Sequence, residues 1–366
     1  MKKVFALTMI VLIGLSLTDC TDRDEPVFNE PDSYAEFENV SYTGQTQRLG
    51  QLVELATYAK SANTSGIRLD ENRLLAMYQN RPSEAGWVNS YDSTKQIKNK
   101  TFSLERENFE QLIQDIALAS KSDQSGKPGT AGVRLSNDGS KSYLLNAKGA
   151  EIAQLLEKGL MGAFIYYQIC NVYTGNEKMN VDNEEVVDGQ GTKMQHHWDE
   201  AFGYYGVPED FPSNKDGIVF WGKYSNSRDP LFNTNQMMMD AYISGRHAID
   251  FNRYTERDEA RNAVREGLEL ITATTAIHYI NSALNNPTDT AIRCHALSEA
   301  YAFIYSIKFS PDRKFELDEI DELLVSVGGD ARITQPNFYE IKDADLELVR
   351  QAIVDRYAIT VDPTTI

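Results

Sequence analysis

Beyond residue 43 the apolar residues recur at steps of three and four, and no series of alternating strands competes with that period. A period near 3.6 buries one stripe of a helix, so the chain is expected to be all-α. Leu49, Leu52, Val53, Leu55, Ala56 and Ala59 form the first stripe. Leu74, Leu75 and Tyr78 begin a second, which must stop before Pro82. Residues 104–119 carry a third, with Phe109, Leu112, Ile113 and Ile116 in register. Residues 150–173 are the most apolar part of the chain after its N-terminus and predict a helix buried on nearly all sides, where Gly159 and Gly162 admit a close neighbour. Residues 231–252, 254–284 and 288–309 predict three long helices, with Pro287 forcing a turn between the last two. Residues 316–327 and 343–357 close the chain with two amphipathic helices.

Two short echoes interrupt this pattern. TSGIRLD at 64–70 matches TAGVRLS at 130–136, as a remnant of duplicated helix–loop units or as two small strands that pair. Residues 121–142, rich in Ser, Gly, Lys and Asp, read as a long surface loop. The expected organisation is therefore a helical domain over 44–366 with one or two very short strands, and with possible lobes near 44–185 and 186–366.

The N-terminus addresses the compartment. Lys2 and Lys3 precede an apolar run at 4–17, which has the length of a secretory signal and is too short for a spanning helix. Residues 1–19 are thus expected to be a signal peptide. The ending Leu17-Thr18-Asp19-Cys20 resembles a lipobox, although Asp19 replaces the usual small residue. It predicts a lipid on Cys20, a tether over 20–43 and attachment to the outer membrane, facing the periplasm or the cell surface. A plainly cleaved signal with a soluble periplasmic product is the alternative.

The chain carries 54 acidic and 36 basic residues, for a formal charge of −18. Loss of residues 1–19 would move it to −19. Such a surface repels nucleic acid and anionic lipid and attracts cations. Cys170 and Cys294 lie in apolar helical stretches, where buried free thiols are the default, although export permits a bridge.

Chemistry concentrates in MQHHWDEAFGYYGVPEDF, which holds two of only five histidines. On a helix, His196, His197, Glu200 and Tyr204 share one arc while Trp198, Phe202 and Tyr205 take the opposite one. Imidazole with carboxylate is a usual ligand set for Fe or Zn, and a solvated polar face is the plainer alternative. His295 and Glu299 form a second pair one helical turn apart, continued by Ala302 and Ser306, between apolar flanks. This seam should point inward, where it needs partners. It would either fix helix register through a His–Glu bond or face the first arc across a bundle interior as a shared metal site. Asp240, Ser244 and His247 make a third candidate face, and His278 reads as a core histidine. HExxH, G-x-S-x-G, Walker A and G-x-G-x-x-G motifs are absent in usable contexts, as is a basic patch with interleaved aromatics.

HHWDEAFGYYGVP, with EKGLMGAFIYYQI before it and HALSEAYAFIYSIKF after it, resembles the imelysin-related lipoproteins of diderm bacteria. The resemblance spans roughly residues 51–309. It implies an exported, two-lobed, all-helical protein linked to iron uptake. It also implies the motif G-x-H-x-x-E, of which His197 and Glu200 supply H-x-x-E while Gln195 stands in the glycine position. The resulting expectation is a non-enzymatic lipoprotein that binds a transition metal or its carrier, in contact with an outer-membrane transporter. Its ligands would be His197 and Glu200, with His196, His295 and Glu299 as further ligands or orienters. Two rivals stand beside it. One is a surface lipoprotein that captures glycan or another ligand, for which Trp87, Trp198 and Trp221 are the residues to inspect. The other is a metal-dependent peptidase with Glu200 as general base.

Overall fold

The computed structural model describes residues 29–366. The signal segment, Cys20 and the first part of the expected tether lie outside the described residues. Residues 31–366 form one compact unit.

The fold is all-α. Its helices are α1 (Thr43–Ser61), α2 (Glu71–Tyr78), α3 (Pro82–Ala85), α4 (Arg106–Ala119), α5 (Ile152–Leu160), α6 (Asn176–Met179), α7 (Lys193–Tyr205), α8 (Phe220–Phe232), α9 (Thr234–Asp250), α10 (Tyr254–Leu284), α11 (Thr290–Ser306), α12 (Leu317–Gly328) and α13 (Asp343–Arg356). Asp70 and Asp289 cap α2 and α11 by accepting from first-turn amides, as short acidic side chains do at helix starts. The long α10 lies against α9 and α11, and α11 also packs on α5, across the possible lobe boundary near residue 185. Inside α10 the buried hydroxyls of Thr272, Thr274 and Thr275 donate to carbonyls one turn earlier, at 2.7, 2.7 and 2.6 Å. Polar atoms in the core are thereby satisfied without leaving the helix.

Three departures from the expected pattern have identifiable causes. The apolar run at 150–173 is helical throughout, but after α5 it widens into π-helical turns at Met161–Tyr166 and Gln168–Tyr173. Donors from elsewhere hold carbonyls of the run: Trp221 Nε1 on Met161, the Phe102 amide on Ala163 and Arg265 Nη2 on Cys170. Residues 121–142 include β1 (Gly132–Leu135), which pairs antiparallel with β2 (Ser142–Leu145), Val133 opposite Leu144. The earlier echo forms no strand; its Leu69 amide donates to Ser120 Oγ and its Asp70 caps α2. Finally, the end of the expected tether is packed. Tyr34 is fully buried and stacks on Phe202 at 3.9 Å, so the segment before α1 is part of the body.

Candidate functional site

Helix α7 owes its start to a reciprocal cap. The Thr192 hydroxyl accepts from the Gln195 amide, and the Gln195 side chain accepts from the Thr192 amide at 2.6 Å. Gln195 also donates to Asp250 at 2.7 Å. The residue that departs from the resembled motif therefore fixes the helix terminus. Trp198, Phe202 and Tyr205 are buried, and Trp198 Nε1 donates to the Tyr242 carbonyl. Close contacts set the position of the helix. A Cβ on Gly203 would lie 2.5 Å from Tyr42 Cβ, and one on Gly245 would lie 2.0 Å from the Trp198 ring.

The opposite arc turns toward a cleft of about 410 Å³ between α1 and α7, a size in the range of small-ligand sites. Tyr42, Gln45, Arg48, Lys95, Lys100, Tyr173, His196 and Glu200 are among its walls. Glu200 anchors it: Oε1 accepts from Gln45 Nε2 at 2.8 Å and Oε2 lies 2.9 Å from His197 Nδ1. His196 Nε2 stands 4.0 Å from the same Oε2. Burial alone would raise the Glu200 carboxyl, but hydrogen bonds from His197 and Gln45 and the neighbouring imidazoles outweigh it and hold the group below its ordinary value. Burial pushes the His196 imidazole below its usual range, with Glu200 pulling the other way. His197 Nε2 and His196 Nδ1 are buried with no hydrogen-bond partner among the described residues. His196 and Glu200 line the cleft, whereas His197 is 7% exposed and reaches it only through Glu200.

The structure brings together His196, His197 and Glu200, and it does not add His295 and Glu299 to them. Those two belong to a different cluster, built where α11 meets the start of α5. His295 Nδ1 lies 2.6 Å from Glu151 Oε2, and Nε2 lies 3.5 Å from Glu299 Oε1. Tyr143 of β2 stacks on the ring at 4.3 Å. Tyr224 donates to Glu299 at 3.1 Å and Asn63 to Glu151 at 3.0 Å. Lys158 and Lys60 pair with Glu157 nearby, so three buried carboxylates face two lysines and one histidine. Burial lowers His295, but the bond and charge of Glu151 and the charge of Glu299 prevail and raise it. Among the described residues no three His, Cys, Asp or Glu side chains are arranged to hold a metal ion. The inward polar seam has the partners its burial demands; Glu151, the strongest of them, arrives from 144 residues away.

The remaining candidates have partners of their own within the protein. His247 is buried and packs edge-on to Phe251, and Asp240 accepts from Gln236. His278 Nδ1 lies 3.2 Å from the Ile366 carbonyl. Cys170 and Cys294 are free and buried. Reading the helical face missed Asp199, which is fully buried on α7. Its Oδ1 accepts from Tyr34 at 2.6 Å and from Arg246 at 3.1 Å. It also missed the cleft walls Arg48, Lys95, Lys100 and Tyr173, which have no sequence periodicity in common with α7.

With this geometry in view, the chain belongs to the family described as a domain of unknown function (DUF4856), which it matches over residues 35–360. No curated protein and no solved structure matches it.

Proposed function

We propose that this is an exported, lipid-tethered binding protein whose α1–α7 cleft takes a transition metal in the form of a small chelate, as part of metal acquisition at the cell envelope. The observation that carries the reading is the arrangement around Glu200. One carboxylate is fixed by Gln45 and His197, with the His196 imidazole beside it, at the wall of a cleft of ligand size. A hydrogen-bonded partner on one side of a ligating group is the usual way a metal site is oriented. The donors fit Fe or Zn, yet of His196, His197 and Glu200 only the first and last line the cleft, which suits a metal arriving with its own ligands better than a bare ion. The resemblance to imelysin-like lipoproteins points the same way. The glycan reading finds less support: Trp198 and Trp221 are fully buried, which leaves half-buried Trp87, its indole N–H given to Asn80, as the one accessible ring of the three.

The test is elemental analysis of mature protein after exposure to zinc chloride or ferric citrate and desalting. Wild type should retain metal from at least one source. His196→Ala with Glu200→Gln should lower retention by about tenfold or more, the loss of roughly one good ligand interaction. A wild type that retains none from either source removes the reading.

A further inference from the structure

The charges of the cleft do not follow the charges of the chain. Acidic residues outnumber basic ones by 54 to 36, and several partly buried cations elsewhere are paired with carboxylates, although buried Arg228 is not. Lys158 and Lys60 take Glu157, Lys98 takes Glu110, Lys308 takes Asp321, and Arg246 takes Asp199 and Asp250. Arg48, Lys95 and Lys100 line one cleft, and among the described residues none of the three forms an ion pair with a carboxylate. Buried Arg48 spends its donors on neutral carbonyls, Nη1 on Gly44 at 3.1 Å and Nε on Gln96 at 3.2 Å. Lys100 donates to the Tyr173 hydroxyl at 3.0 Å. Burial, then the charges of Arg48, Lys178 and Lys95, hold its ammonium below the usual lysine value, against the pull of Glu200. Two carboxylates share the cleft, and both have donors of their own: Glu200 has Gln45 and His197, and Asp92 has the Thr94 amide. The first turn of α1 lines the same wall, and that helix has no side-chain cap, so its positive end adds to the field.

Arg48 is buried and Lys95 and Lys100 are half-buried, and cations so placed without a counter-charge favour an anion that supplies one. We propose that the cleft recognises its ligand as an anion, a compact polycarboxylate or phosphate whose oxygens bridge Lys95 and Lys100 beside Arg48. This rests on the reading of the α1–α7 cleft as the binding site, and it names the chemistry of what enters: the chelator is recognised through its negative groups. The ammoniums supply point charges and the Arg48 guanidinium sets the field behind them.

The probes are metal-free sodium citrate, inorganic phosphate, a neutral trisaccharide and zinc chloride, titrated calorimetrically into mature protein at low and high potassium chloride. Citrate or phosphate should bind and the trisaccharide should not, and affinity should fall with salt as expected for partly exposed charges. Lys95→Ala with Lys100→Gln should weaken the anion by about tenfold or more, with Lys127→Gln, exposed and outside the cleft, unchanged. A melting temperature for the double variant close to wild type shows that folding is not the cause. The relative strength of citrate and phosphate tells which anion class the site prefers. If zinc binds in a Glu200-dependent way while neither anion does, the anionic ligand is wrong and the metal cleft stands. If no probe binds, the anionic ligand is wrong, and failure to retain metal from ferric citrate as well removes the metal reading with it.

Discussion

Asp199 and Glu200 are neighbours on α7, and their carboxyls are driven in opposite directions. Glu200 faces the cleft with donors on both oxygens and stays below its ordinary value. Asp199 faces the core, where burial prevails over Arg246 and Tyr34 and lifts it from 3.8 to about 7. A carboxyl raised on folding binds its proton more tightly in the native state. Its contribution to stability is therefore complete below about pH 4 and is lost as pH rises through about 7. Asp199→Asn should flatten this part of the stability profile between about pH 4 and pH 7, an effect of about 2–4 kcal/mol. An unchanged pH profile would show that the Arg246 pair keeps Asp199 ionised. His295 works with the same sign. Its raised value gives stability that is present below its ordinary 6.5 and is lost as pH rises through the folded value. His295→Gln should remove the loss that sets in as pH rises past 6.5, read by denaturant midpoints across the range. Both effects were out of reach of the sequence, which shows that the acids and imidazoles exist but not which side of a helix is solvated. The pairing of His197 with Glu200 was legible because it spans a single helical turn. The pairing of His295 with Glu151 was not.

At the scale of elements, the helical period located α1, α2, α4, α10, α11, α12 and α13, because each buries one stripe against the same core. It failed where tertiary contacts outweigh local preference. The helix expected from residue 231 is α9, which starts at Thr234 because α8 ends at Phe232 with Asn233 left-handed after it; Pro230 and the polar run before it hide α8 itself. The widened turns after α5 depend on donors up to 95 residues away, which no local pattern records. Those turns matter to the cleft because they end at Tyr173, one of its walls and the acceptor for Lys100. Trp221→Phe should leave the Met161 carbonyl without its indole donor and cost about 1–3 kcal/mol in urea unfolding, beyond the small change in packing. Gly203→Ala tests the other wall. Its Cβ would collide with Tyr42, whose hydroxyl also donates to Glu209 at 2.9 Å. Overpacking of this kind costs about 1–3 kcal/mol, and here it should also displace a cleft wall and weaken retention of metal or chelate. A variant that melts lower yet binds normally would show that Tyr42 is a packing residue only.

For the whole molecule, function follows from where the chain puts its exceptions. The helical body has strong negative charge, and no helix among the described residues is long and apolar enough to cross a membrane. Such a surface gains nothing from anionic lipid, so on the proposed reading residence at the membrane depends on Cys20 and not on the body. One acyl chain gives only marginal binding, while the multiple chains of a processed lipoprotein cysteine give stable anchoring. Expressed with its own N-terminus in a diderm host, wild type should enter the detergent phase on Triton X-114 partition, and Cys20→Ala should remain in the aqueous phase. The melting temperatures of the two proteins should agree, since among the described residues burial begins at Tyr34, fourteen positions after Cys20. A wild type found entirely in the aqueous phase would move the protein to the soluble periplasmic alternative. The cleft proposal would survive that result, because its cations and its Glu200 centre belong to α1, α7 and the segment between α3 and α4, all within the compact unit. Tether and site are thus separable, and a binding-defective variant such as Glu200→Gln should still partition with the detergent.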